Sequence, residues 1–194
     1  MQHLTREDLM SLETYAAERK SFRAQVMAHK QNRRVELGPH ANLYFEDKLT
    51  MQYQIQEMLR VERIFEAEGI QEELDAYNPL IPDGCNWKAT FMVEYSDVEQ
   101  RKVELSKLIG IEDKIWVRVD GFDKVYAIAD EDLEREDDTK TSSVHFMRFE
   151  LSEEMASAVK AGAAIGMGSD HDYMTLAVDA VPQGVRDSLA NDLA

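Results

Sequence analysis

Apolar positions recur at helical spacing through the first eighty residues and mostly at strand spacing thereafter. Thr5-Arg-Glu-Asp8 resembles a capping box with aspartate in place of glutamate. It predicts a helix from Arg6 that runs, with a break near Ser21, to about Asn32. Two β-like pieces follow at 34–37 and 42–46, around the corner Gly38-Pro39-His40. Residues 51–65, MQYQIQEMLRVERIF, alternate apolar and polar only as far as Gln56. Glu57-Met-Leu-Arg60 are good helix formers and helical composition continues to Glu68, so one helix is expected over about 47–68 with Gly69 as its C-cap. A further helical piece at 70–76 ends before Pro79, because proline drives the preceding residue out of the α region.

The segment 78–84, NPLIPDG, marks a change of character. Beyond it, 87–95, 114–120, 124–129, 143–151, 163–168 and 173–181 have strand composition, and Asp120-Gly-Phe-Asp123 joins two of them at hairpin spacing. Helices fit at 97–109, 152–160 and 184–193, with Ser96 and Ser152 as N-caps. Strands adjacent in sequence imply an α+β fold, a mainly antiparallel sheet with packed helices preceded by an N-terminal helical segment. The expected organisation is a mainly helical part with a short β corner (1–82) and an α+β sheet part (83–194), forming one unit.

Placing residues 100° apart on the 47–68 helix gathers Gln52, Gln56, Arg60 and Arg63 onto one narrow polar stripe. Apolar residues occupy nearly every other direction, so this helix is mostly buried. The stripe is either a solvent face or the wall of a pocket, where amides and guanidinium forks would suit a carboxylate or phosphate. Glu57 falls between Tyr53 and Ile64, where a carboxylate needs a partner. It is the candidate acid/base if the stripe is catalytic.

Charge narrows the partners. The chain has 194 residues and a formal net charge of −16. Residues 1–82 carry 10 basic and 14 acidic residues, and 83–194 carry 12 and 24. Such a surface repels nucleic acid and anionic lipid. Against that background, Arg19, Lys20, Arg23, Lys30, Arg33 and Arg34 form a basic stretch free of acids, suited to an anionic ligand or to the chain's own acidic half. One cysteine, Cys85, excludes an internal disulfide and fits a reducing compartment. No apolar run is long enough to span a bilayer and the N-terminus has no signal-peptide core, so a cytoplasmic location is expected.

No histidine has the spacing of a helical metal motif. The densest metal-like group is Asp170, His171 and Asp172, at a position where a hairpin turn recruits aspartate for its geometry. The expectation is no metal and no cofactor. His145 alternates with Met147, Phe149 and Leu151 as a core histidine would. The run Asp130-Glu-Asp-Leu-Glu-Arg-Glu-Asp-Asp138 lacks EF-hand spacing, and the glycines of AGAAIGMGSD mark close backbone approach rather than a phosphate loop.

The phrases AHKQNRRVELGPHANLYFEDKLTMQYQIQEML, ERIFEAEGIQEELDAYNPLIPDG, NWKATFMVEY, VYAIADEDLE and SSVHFMRFEL together resemble an uncharacterised bacterial family known only as domain of unknown function 3501. The likeness spans the chain. It implies no catalytic residues, and through the neighbourhood of rubrerythrin-like and iron–sulfur oxidoreductase genes it implies an accessory role in redox or peroxide metabolism. The expected function is thus a cytoplasmic accessory or ligand-binding protein, with a protein partner in an oxidoreductase system or a small anionic ligand. The alternative is a small enzyme acting on an anionic molecule through Gln52, Gln56, Arg60, Arg63 and Glu57.

Overall fold

The Gly38-Pro39 corner makes β1 (Arg34–Gly38) and β2 (Ala41–Glu46) an antiparallel pair. β2 pairs along its whole length with β3 (Asn86–Val93). The structure, a computed structural model, describes residues 3–133, 135–137 and 139–194, so Glu134 and Asp138 of the acidic run lie outside the described residues. The remaining strands are β4 (Ile115–Val119), β5 (Val125–Tyr126), β6 (Ile128–Ala129), β7 (Val144–Glu150), β8 (Ile165–His171) and β9 (Met174–Val178). They form two antiparallel sheets rather than one, in the orders β1-β2-β3-β7-β6 and β5-β4-β8-β9. The expected strand at 124–129 divides at Ala127, giving β5 to the second sheet and β6 to the first. Gly168 illustrates the close approach its sequence implies: a Cβ there would stand 2.5 Å from the Trp116 ring.

Inward side chains of both sheets share one core with Trp87, Phe91, Phe149, Ile115 and Ile165 fully buried in it. Among the described residues six α-helices complete the α+β fold: α1 (Leu12–Lys30), α2 (Lys48–Val61), α3 (Ala67–Tyr77), α4 (Val98–Lys107), α5 (Glu153–Lys160) and α6 (Gln183–Ala190). α5 and α6 contribute Val159, Val185 and Leu189 to the main core, and the Trp87 indole donates to the Leu189 carbonyl at 2.9 Å. The α1–α3 layer has smaller cores of its own, around Met51, Ile55, Leu59 and Leu74, and around Tyr15, Phe22 and Val26. Among the described residues no helix is long and apolar enough to cross a membrane.

Local rules explain the departures from expectation. The Thr5/Asp8 capping box exists, yet it closes a single 3-10 turn (Arg6–Asp8); α1 starts afresh on the Ser11 cap and passes Ser21 unbroken. The 47–68 helix ends early. Arg63 adopts φ 55° and the Ile64 amide donates back to the Leu59 carbonyl at 2.9 Å, a Schellman-type stop with arginine where glycine is usual. Gly69 therefore lies inside α3 instead of capping α2, with its hydrogen facing the Ile64 side chain.

Candidate functional site

The stripe residues do not share one environment. Gln56 is fully buried: its Oε1 accepts from the Met10 amide at 2.6 Å and its Nε2 donates to the Met10 carbonyl at 3.3 Å. Gln52 donates to the Asp8 carbonyl at 2.6 Å. Asn78, at the end of α3, grips Leu4 in the same reciprocal way, at 2.7 and 2.9 Å. Three amide side chains thus strap the N-terminal segment across the helical layer. The stripe's two glutamines are hydrogen-bonded to the chain's own residues 8–10, Gln56 fully buried and Gln52 partly exposed. Arg60 is exposed and Arg63, outside the helix, is exposed as well.

Glu57 has the partners its position demands. The Arg19 guanidinium meets it through Nε at 2.7 Å and Nη2 at 2.8 Å, the Tyr15 hydroxyl donates at 2.6 Å, and Arg60 adds a contact at 3.3 Å. Arg19 above all holds its carboxyl down at about 2, against the desolvation that works the other way. A carboxylate so held is a poor proton carrier near neutrality. In the basic stretch, Arg33 is also committed: it is buried and pairs Asp192 at 2.6 Å, so the basic segment does meet the acidic half.

Asp170 accepts from Trp116, from Lys124 and from Tyr126 at 3.0, 2.8 and 2.6 Å, and its pKa is lowered mainly by Lys124. The His171 ring is used at both nitrogens, by the Tyr173 amide and the Ile109 carbonyl, while Asp172 is exposed at the hairpin turn. Among the described residues no group of three or more His, Cys, Asp or Glu is arranged to hold a metal. His145 is fully buried, with Nδ1 2.5 Å from Asp130 and Nε2 3.0 Å from the Thr141 hydroxyl. The distances imitate a nucleophile triad, but Nε2 also faces the Ser142 carbonyl at 3.1 Å. Nε2 is thus shared between a hydroxyl and a carbonyl, and both His145 and Thr141 are buried away from any substrate. This is a satisfied core histidine.

A concavity lies elsewhere, on the outer face of the five-stranded sheet. Strand register sets three rows of side chains across β2, β3 and β7: Asn42–Met92–Val144, Tyr44–Thr90–Phe146 and Glu46–Lys88–Arg148. Lys30, Met51, Gln54, Tyr77 and Leu80 from the helical layer face these rows and enclose a cleft of about 470 Å³. A second cleft of about 420 Å³ continues from it past Pro79, Lys88, Glu131 and Arg148, sharing Tyr77, Leu80 and Phe146. A mostly apolar concavity of this size with a few polar groups is the usual form of a small-molecule site. Most cations around it are engaged: Lys88 donates to the Pro79 carbonyl at 2.6 Å with its pKa lowered by burial, and Arg148 pairs Glu131 at 2.8 Å. At the bottom lies Glu46, 7% exposed, accepting from Thr50 Oγ1 at 2.6 Å and Thr90 Oγ1 at 2.9 Å.

None of these groove residues stands out as a motif. A signal does exist: NWKATFMVEY and SSVHFMRFEL carry apolar residues in both alternation phases. Such strands are covered on both faces. The outer cover is what makes the groove.

A crystal structure of a novel protein of unknown function from Burkholderia pseudomallei K96243 is 50% identical to this chain, covers 100% of both chains and superposes with a TM-score of 0.95. Comparison with curated proteins gives no match. The family model described as Protein of unknown function (DUF3501) matches residues 3–193, and the chain belongs to that family.

Proposed function

We propose that this chain is a ligand-binding accessory protein whose site is the groove between the α2/α3 layer and the outer face of the five-stranded sheet. The observation that carries this is the continuity of the two clefts over the Tyr44–Thr90–Phe146 row, apolar walls enclosing a buried carboxylate. The alternative, an enzyme working through Glu57 and the stripe, has less support. Glu57 is saturated by Arg19, Tyr15 and Arg60, and Gln56 by Met10. The resemblance to family members beside redox genes makes an oxidoreductase system the natural setting for such an accessory role, with the groove ligand passed to or sensed by that partner.

The test is a thermal-shift screen of wild type and Val144→Trp against a small-molecule panel. Val144 lies on the outer row and indole bulk there fills the cleft while suiting a strand. Ligands that raise the wild-type melting temperature and leave Val144→Trp unmoved support the groove. Equal shifts in both proteins would overturn it.

A further inference from the structure

Glu46 is the feature of the groove that its apolar walls do not explain. Glu46 is 7% exposed as a residue, and only two neutral hydroxyls, Thr50 and Thr90, hydrogen-bond to its carboxylate among the described residues. No Lys, Arg or His among the described residues comes within ion-pair distance. Lys88 is its direct cross-strand neighbour, yet the Lys88 amine turns to the Pro79 carbonyl. Lys30 lines the same cleft, but its amine sits 6.0 Å from the Tyr53 ring centroid. Arg33 reaches only the main-chain carbonyl of Glu46, spending its other donors on Phe45, Ser188 and Asp192. A buried carboxylate without a cation is unfavourable unless something compensates for the lost water.

We infer that the groove takes an organic cation: an ammonium or guanidinium group that pairs with Glu46, carried on an apolar or aromatic body that packs against Tyr44, Tyr77 and Phe146. This rests on the groove being the binding site and adds the ligand's charge. Three observations converge on it. Each Glu46 oxygen accepts a single hydroxyl and keeps lone-pair capacity for an N–H donor. Two of the aromatic walls already hold a cation, Arg34 at 5.6 Å from the Tyr44 ring centroid and Arg135 at 4.6 Å from that of Phe146, so these rings do attract positive charge. The chain's net charge of −16 concentrates cations and repels anions around the whole molecule. The sign is opposite to the anionic ligand that the arginine stripe suggests from sequence.

The experiment is calorimetric titration of the full chain with three matched probes: 2-phenylethylamine, 2-phenylethanol and 3-phenylpropionate. The amine should bind at least about tenfold more tightly than the alcohol, and the carboxylate least. Added salt should weaken the amine and spare the alcohol. Glu46→Gln should bring amine and alcohol together. If that variant does not fold, the wild-type comparison of amine with alcohol decides. Equal binding of all three, each abolished in Val144→Trp, would overturn the cation and leave the groove standing. Absence of binding by any probe, or binding indifferent to Val144→Trp, would overturn both.

Discussion

Gln56 and Met10 exchange two hydrogen bonds across 46 residues of sequence, side-chain amide to backbone amide, as two paired strand residues would. Gln56→Leu keeps the volume and leaves the Met10 amide and carbonyl without partners. It should cost about 2 kcal/mol in urea unfolding. It should also speed tryptic cleavage after the exposed Arg6. Unchanged cleavage would mean that Asn78 and Gln52 hold the strap without Gln56.

Glu57 gives a pH signature. Its folded pKa of about 2 lies below the ordinary carboxylate value, so its stabilising pairing is complete above about pH 4.5 and fades as pH falls towards 2. Glu57→Gln should flatten that part of the acid-unfolding curve, by about 1 kcal/mol after solvent screening is allowed for. A wild-type and variant pair with parallel curves between pH 5 and 2 would refute the Arg19 pairing.

Asp192 behaves oppositely. Burial outweighs Arg33 and pushes its carboxyl up to about 6. The folded state therefore holds a proton that the unfolded state releases, and this group's contribution to stability falls as pH rises from about 4 to about 6. Asp192→Asn should remove that slope. Asp192→Ala should be far more damaging, about 3 kcal/mol, because it removes the shorter of the two carboxylate contacts of the buried Arg33 and leaves it only Asp47 at 3.4 Å.

Arg63 carries avoidable strain. At φ 55° it sits where glycine is cheapest, and its side chain is exposed. Arg63→Gly should stabilise by about 0.5–1 kcal/mol despite glycine's entropy in the unfolded chain. Gly69→Ala should do the reverse, since a Cβ would stand 2.8 Å from the Ile64 methyl.

Helices, strands and turns were largely legible because their signals are local. The Ser152 and Gly38-Pro39 punctuation and the alternation in β3 and β7 can be read within a few residues, whereas the Ser11 start of α1 was obscured by the Thr5/Asp8 box before it. The end of α2 was not, because an arginine at a left-handed C′ position has no composition signature. The helical-wheel stripe loses Arg63, which lies beyond the end of α2, and what covers Gln52 and Gln56 is backbone from more than forty residues upstream. The groove was hidden for the same reason. Tyr44, Thr90 and Phe146 become neighbours only through the β2–β3–β7 register, and Glu46 looks like any strand-end glutamate until its burial and lack of a cation are known.

The measurement that bears most directly on the groove is a titration of backbone amide resonances with 2-phenylethylamine. The shifts should concentrate on the paired rows, at Tyr44, Thr90, Met92, Val144 and Phe146, with Met51 and Tyr77 opposite them, and saturate together. Shifts confined to the Gln52–Arg60 stripe or to the Trp116–Asp170 face, with the three strand rows unmoved, would contradict the account.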